Sequence, residues 1–376
     1  MGPHRHGALW APAEENAVTR NYYAPPPESR TGVADYAESL RLVLAPRGPL
    51  PVPLYHLGNN QLHVGIYRRA VEQPGVVVLH DAVLHHLFLG LLTRDEYIAE
   101  FVYNYGEWRR HLAEELWRDR AASGVDPRYF EFPMIRRAVE SARAVIVHNP
   151  GAASAARAHR AARVTVIPHF FEPAVVPDSA ATAYFRERIG ISHSATLFGI
   201  FGFLRETKRL LPCIRAFERL HALDPNTALL IAGQPVSPDL ARVLEIEAAH
   251  PAIRSLGYLE PEDLPVAVAA VDCCLNLRYP AAGETSGIAI RVMGAGKPVI
   301  LSDVKENEDI PAAACLRVRP GVAEAAELFD HMVMVSRFPQ IAREIGHRAE
   351  RHIREYHSLA RAAERYWEVL CAAGSC

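Results

Sequence analysis

The feature that most constrains this chain is a recurring alternation. Short apolar runs are each followed by a loop and then by a longer, more charged stretch of helical character. "PVPLYHLG" (51–58), "GVVVLHD" (75–81), "RAVIVHN" (143–149) and "RVTVIPH" (163–169) are such runs. The second half continues with "TLFGIFGF" (196–203), "TALLIAGQ" (227–234), "IRSLGYL" (253–259), "CCLNLRY" (273–279) and "PVILSD" (298–303). Strands that are apolar throughout are buried on both faces, and strands alternating with helices pair in parallel. The pattern therefore predicts an α/β chain with two doubly wound, mainly parallel sheets. At 376 residues the chain also exceeds what one ordinary core supports, which again gives two domains. The stretch "FFEPAVVPDSAATAYF" (170–185), rich in Pro and small residues, suits the change of domain. The expected division is a mobile extension over 1–17, a first domain over 18–175 and a second over 176–355. A terminal helix over 356–376 then needs a surface to cover.

Composition narrows the classes of function. With 49% apolar and 22% charged residues and a formal charge of −2, the chain offers no electrostatic support for nucleic-acid binding. The first twenty residues lack a long apolar core, so no signal peptide is expected. The most apolar run, "PGVVVLHDAVLHHLFLGLL", is too short and too polar to span a bilayer. The six cysteines form no Cys-x-x-Cys pair, which suits a reduced cytoplasmic protein with mostly buried, inert thiols. The aromatic-rich stretch 85–112, with Phe88, Tyr97, Phe101, Tyr103 and Trp108, reads as core packing plus a solvated face. Its alternative is a peripheral membrane contact at an inner membrane face.

In sheets of this kind ligands bind beyond the carboxyl ends of the strands, and the polar residues gather there. "FGFLRETKRL" (201–210) ends a strand at Gly202 and then places Arg205 and Lys208 three apart at an expected helix start, a pair suited to a diphosphate. "RYPAAGETSGIAIRVMGAGKPVILSD" (278–303) carries Glu284 and Arg291 seven apart in a run of small and apolar residues. If a helix begins near Ser286, they lie near one face, about 10 Å apart along the axis. Thr285 or Ser286 would cap that helix, and Gly287 would let a ligand approach its positive end. In "VVLHDAVLHH" (77–86), His80 ends a strand with a side chain able to bond a sugar hydroxyl or phosphate, and Asp81 reads as the cap of the next helix. His85 and His86 do not make a metal site, because His80 and His85 are five apart across the expected strand-to-helix break and no third ligand follows. Gly58, Asn59 and Asn60 read as a turn, with hydroxyl recognition by the two amides as the alternative. Gly257, Tyr258 and Leu259 end a strand with exposed backbone beside an aromatic ring, a place for a flat base. Gly32 opens an amphipathic helix after a Pro-rich turn.

Together these segments resemble the retaining glycosyltransferases of family 4, which have the GT-B fold of two Rossmann-like domains facing across a cleft. The resemblance runs from about Tyr22 to Leu370 and is densest from Phe198 to Asp303. The family signature is a Glu, seven intervening residues and a second Glu. Here "GETSGIAIRVMGAGKPVI" keeps the first as Glu284, is one residue shorter, and has Arg291 in place of the second. The resemblance implies that Glu284 reads the donor sugar, with Thr285, Ser286 and Gly287 holding sugar and diphosphate. It makes Lys208 and Arg205 a diphosphate clamp, His80 a neighbour of the donor sugar, and Gly32 the N-terminal glycine loop. Arg291 has only donors to offer where the family's second Glu accepts from the ribose.

The activity implied is retaining, hexosyltransferase-like transfer from a UDP- or GDP-linked sugar to the hydroxyl of a sugar, lipid-linked sugar or small molecule, as in carbohydrate biosynthesis. No metal or other cofactor is expected. The competing readings are a non-catalytic sugar-nucleotide-binding scaffold and an epimerase of the same fold.

Overall fold

The computed structural model describes residues 21–29, 31–173, 177–260 and 262–375, so the extension expected over 1–17 lies outside the described residues. The first sheet is built from β1 (Tyr22–Tyr23), β2 (Leu54–Leu57), β3 (Val76–Leu79), β4 (Ala144–Val147) and β5 (Val164–Val166). They lie side by side in chain order, and every pair is parallel. The second sheet contains β6 (Thr196–Phe201), β7 (Thr227–Ala232), β8 (Ile253–Gly257), β9 (Cys273–Asn276), β10 (Val299–Ser302) and β11 (Leu316–Val318). Its order across the sheet is β11-β10-β9-β6-β7-β8, again all parallel. The chain thus runs outward from β6 to β8, returns, and continues from β9 on the other side of β6.

The continuous apolar runs are explained by burial from both sides. Every residue of β2, β3, β4, β7, β9 and β10 is buried. On one face of the first sheet, Val77, Leu79, Val145 and Val147 pack with Tyr97, Phe101 and Tyr129. On the other, Val76, Val78, Ala144 and Ile146 meet Leu40 and Leu44 of helix Gly32–Leu44 and Tyr366 and Leu370 of helix Leu359–Gly374. The terminal helix therefore covers the first sheet although it follows the second. Its buried residues Ala362, Ala363, Tyr366, Leu370 and Ala373 recur at helical spacing, and the Tyr366 hydroxyl lies 3.0 Å from that of Tyr36. Burying side chains such as Tyr366 and Leu370 contributes about 1.5–3 kcal/mol each.

The strands are shorter than their apolar runs, for local reasons. Pro51 and Pro53 have no N–H to give a ladder, so β2 begins at Leu54. At the carboxyl ends, His80-Asp81, His148-Asn149, Gly202-Phe203 and Leu277–Tyr279 leave their sheets as loops. The sequence pattern did not predict β1 or β11, because two or three residues carry no period and take their conformation from the strand they pair with. The stretch 85–112 breaks into helices His85–Leu91 and Arg94–Tyr105 and a turn before helix Arg110–Arg118. Phe88, Tyr97 and Phe101 are buried and Trp108 is 75% exposed, the pattern of core packing plus a solvated face. Among the described residues no helix is long and apolar enough to cross a membrane. Cys213, Cys273, Cys274 and Cys315 are buried and unpaired, and burial pushes the Cys274 thiol up to about 12.

Candidate active site

Reversal of strand order opens a crevice at the carboxyl ends of the two strands where it occurs. Those strands are β6 and β9. The segment after β6 carries Gly202, Arg205 and Lys208, and the segment after β9 carries Arg278 and Glu284. Gly202 has φ +79°, a conformation glycine adopts freely, and a Cβ there would lie 3.4 Å from the Lys208 ammonium. The turn Glu206–Lys208 is a 3-10 helix, and the α-helix Leu210–Leu223 starts only after it. This corrects the expectation of two cations on one face of a helix start. Arg205 is exposed, whereas Lys208 is 7% exposed and folds under to donate to the Phe201 carbonyl. Burial, helped by the nearby Arg278, pulls the Lys208 ammonium down to about 7.

Glu284 is held tightly. Its Oε1 accepts from Arg278 at 2.7 Å and its Oε2 accepts from the Ala282 amide at 2.7 Å. Ser286 caps helix Gly287–Gly294, its Oγ accepting from the Ala289 amide at 3.2 Å. The first amides of that helix have no intrahelical acceptor and form its positive end. A Cβ on Gly287 would come within 3.3 Å of His169 Nε2, so the glycine keeps this end open beneath the imidazole. His169 Nδ1 donates to the Phe170 carbonyl, which leaves Nε2 as an unprotonated acceptor, and burial pulls the ring down to about 3.

The first domain closes onto this site. Gly283 has φ +78°, and a Cβ on it would meet Ala82 Cβ at 2.4 Å and the Ala82 amide nitrogen at 2.9 Å. Backbone therefore lies against backbone one residue from Glu284 and one from Asp81. Asn149, at the end of β4, spans the junction. Its Oδ1 caps helix Pro150–Ala158 through Ala152, while its Nδ2 donates to Gly283 O and Thr285 Oγ1, both at 3.0 Å. Asp81 does not cap the next helix, which starts at His85 with no side-chain cap. It turns instead to the loop after β2, where its Oδ2 accepts from the Asn59 amide at 2.7 Å. Burial and the facing Glu284 raise its carboxyl well above the usual range, opposed by the Asn59 bond, Arg205 and Arg278.

Arg205, Lys208, Glu284, Thr285, Ser286, Gly287 and Gly202 are thus brought to one junction. His80 lies behind it, 7% exposed, with Nε2 2.9 Å from His56 Nδ1. Burial lowers the His80 imidazole well below its ordinary value. Gly32 opens its helix after the Thr31 cap, and a Cβ there would meet nothing within 4 Å. Arg291 is exposed and acts electrostatically on Asp35 and His169 rather than on the Lys208 group. Its successor Val292, eight residues after Glu284, is fully buried. Gly257 and Tyr258 are exposed and Leu259 half-buried at the end of β8, two strands from β6 on the same rim.

Amide recognition by Asn59 and Asn60 gives way to local structure. Asn59 bonds His86 and the Leu87 amide, and Asn60 caps the turn Gln61–His63. Sequence reasoning passed over Arg278, Gly283, Asn149 and His169. The signal for the first two was present in "RYPAAGE", a cation and a glycine between a buried strand and the acidic residue. Beside the site, a cavity of about 460 Å³ lined by Asp303, Val304, Lys305, Glu306 and Glu308 opens after β10.

Residues 195–335 match the family model described as "Glycosyl transferases group 1". No curated protein matches the chain at a significant level. Among solved structures, Anabaena HepE in complex with UDP-glucose is similar at TM-score 0.65 and 14% identity, with 93% of this chain and 98% of that chain covered. WaaG, a glycosyltransferase involved in lipopolysaccharide biosynthesis, is similar at TM-score 0.63 and 16% identity, with 93% and 98% covered. Sucrose-phosphate synthase from Thermosynechococcus elongatus has TM-score 0.62 and 17% identity, with 90% and 79% covered. The architecture is therefore the GT-B arrangement of two facing α/β domains.

Proposed function

We propose that this chain moves a sugar from a nucleoside diphosphate sugar to an acceptor hydroxyl, with retention at the anomeric carbon and without a metal ion. The observation that carries the reading is the gathering of Arg205, Lys208, Arg278 and Glu284 at the reversal point of the second sheet, beside the open end of helix Gly287–Gly294. The family-model match over 195–335 supports it, as does the likeness to HepE, whose structures hold UDP and UDP-glucose.

In this reading the chemistry is mostly electrostatic. The bond between the anomeric carbon and the diphosphate oxygen breaks, and its electron pair leaves with the nucleoside diphosphate. Lys208, Arg205 and the first amides of helix Gly287–Gly294 meet the charge that develops there. Lys208 suits this task because an arriving dianion restores the proton that burial loosens. Arg278 holds the Glu284 carboxylate in place, and a carboxylate with two occupied positions still has lone pairs for sugar hydroxyls. The acceptor oxygen attacks from the face the diphosphate leaves, and the departing phosphate takes its proton. Closure of the first domain over the site keeps water from taking the sugar.

The test is a melting-temperature panel of UDP, GDP and their sugars with and without EDTA, followed by donor turnover. The expected result is a shift with one nucleotide that EDTA does not change. Turnover is expected in the wild type and lost in Glu284→Ala, which stays folded. Wild-type turnover by that variant sinks the site, and protection of the donor without consumption points to a scaffold.

A further inference from the structure

We propose that Asp81 holds the acceptor by accepting a hydrogen bond from a hydroxyl adjacent to the one that reacts, so that the acceptor is a polyhydroxylated, saccharide-like molecule. This rests on the transferase reading and adds a role for the first domain. The diphosphate- and sugar-facing groups Lys208, Arg205, Arg278 and Glu284 all come from the second domain. A two-domain transferase needs a partner for the acceptor on the other wall. Asp81 stands on that wall, one residue from the contact between Ala82 and Gly283, with Glu284 next on the other side.

Three observations separate Asp81 from a structural carboxylate. It caps no helix. Its Oδ2 is fixed by the Asn59 amide, while its Oδ1 has no hydrogen-bond partner among the described residues. A Cβ on Gly58 would lie 3.1 Å from Oδ2, so the loop holds the carboxylate by backbone alone and without slack. A carboxylate facing Glu284 in a desolvated junction works against folding, and such costs gather where a ligand is bound.

The step balances without Asp81 changing its proton. The bond from the anomeric carbon to the acceptor oxygen forms as the bond to the diphosphate breaks, and the reacting hydroxyl's proton goes to the departing phosphate. Asp81 must be ionised throughout. The charged and titratable groups facing it are Glu284 and Arg278 after β9, Arg205 after β6, and His63 beside Gly58.

The experiment follows UDP release from UDP-glucose, the donor present in a similar structure, by wild type, Asp81→Asn and Asp81→Ala. The acceptors offered are methyl glucosides, maltose and n-propanol. Wild type should favour the saccharides over propanol. In Asp81→Asn, which can still accept from Asn59, the saccharide KM should rise about ten- to a hundredfold and the preference should collapse. The melting shift given by UDP should match the wild type. Saccharide kcat/KM in the wild type should fall as acid protonates Asp81, and that limb should vanish in Asp81→Asn. An unchanged saccharide KM, or an unchanged acid limb, overturns the role of Asp81 alone. A wild type that binds UDP but consumes none of the UDP- or GDP-linked sugars with any of these acceptors overturns the transferase reading and, with it, any acceptor for Asp81 to hold. The Asp81→Ala arm, read by its unfolding curve, reports the structural share of the Asn59 bond.

Discussion

The two sheets are built alike and positioned to do different things. Among the described residues the first runs through its strands in chain order, with no reversal to open a crevice of its own. The second reverses between β6 and β9, and its cationic and acidic residues stand at that reversal. One domain therefore supplies a site by topology and the other by contact. The first domain reaches the site through the backbone meeting of Ala82 and Gly283, through Asn149, and through His169 over the open helix end.

The contrast is most severely tested at that meeting. Gly283→Val forces a β-branched residue into φ +78° and drives its Cβ into the Ala82 backbone. The strain alone is on the order of 1–3 kcal/mol, and the clash adds to it. Sugar transfer should fall by at least about a hundredfold, because displacement of reacting groups by about 1 Å has that effect. Each domain should keep its own helix and sheet signal by circular dichroism. Near-wild-type transfer would mean that the domain contact does not assemble the site.

A second test separates the domains by acid. His56, His80, His148 and His169 cluster around Tyr36 on the first domain's side, and burial lowers all four, His56 and His169 to about 3 and His148 to about 4. The folded state keeps them neutral, whereas the unfolded chain protonates them near pH 6.5. Their contribution is therefore fully present above about pH 6.5 and is lost as the pH falls toward their folded values. Each costs about 1.4 kcal/mol per pH unit in that window. Hydrogen exchange on acidification should release the amides of β3 and β4 before those of β6 and β9. Simultaneous release would show that the two domains do not differ in this way.

A milder effect bears on the assignment of the anion to the second domain. With Lys208 pulled down to about 7, UDP should bind best below that pH, where the ammonium is charged. Affinity should then weaken by up to about tenfold per pH unit above it, until the bound lysine itself titrates. Calorimetry in buffers of different ionisation heat should record proton uptake on binding near neutrality. Lys208→Ala should bind UDP about tenfold or more weakly and lose the pH dependence. A variant that keeps the dependence would assign it to another group.

Much of the candidate site is legible in the amino-acid order. Ser286 as cap, Gly287 at the helix start and Glu284 in the loop leading to it follow from local rules, because caps and glycines act within a few residues. The spacing of Arg205 and Lys208 misleads, because a 3-10 turn replaces the expected helix start and spacing cannot tell the two apart. Asp81 reads as a cap because an acidic residue ahead of a helix usually is one, and its partner Asn59 lies twenty-two residues away in the chain.

The longer strands, the helices and the division into two α/β halves are written in the order of the residues, since continuous apolar runs and helical spacing are properties of neighbours along the chain. By contrast, β1 and β11 exist only through the strands they pair with. The strand order is not written there. It arises from packing, and with it comes the reversal between β6 and β9 that turns two distant loops into one site. Packing also selects which residues of the first domain face that site. Gly283 against Ala82 and Asn149 bridging to Thr285 are contacts between residues more than a hundred positions apart, and the charge of Glu284 acts on Asp81 across a similar separation in the chain. No local propensity encodes such pairs, because they exist only once two packed cores have fixed the distance between their loops.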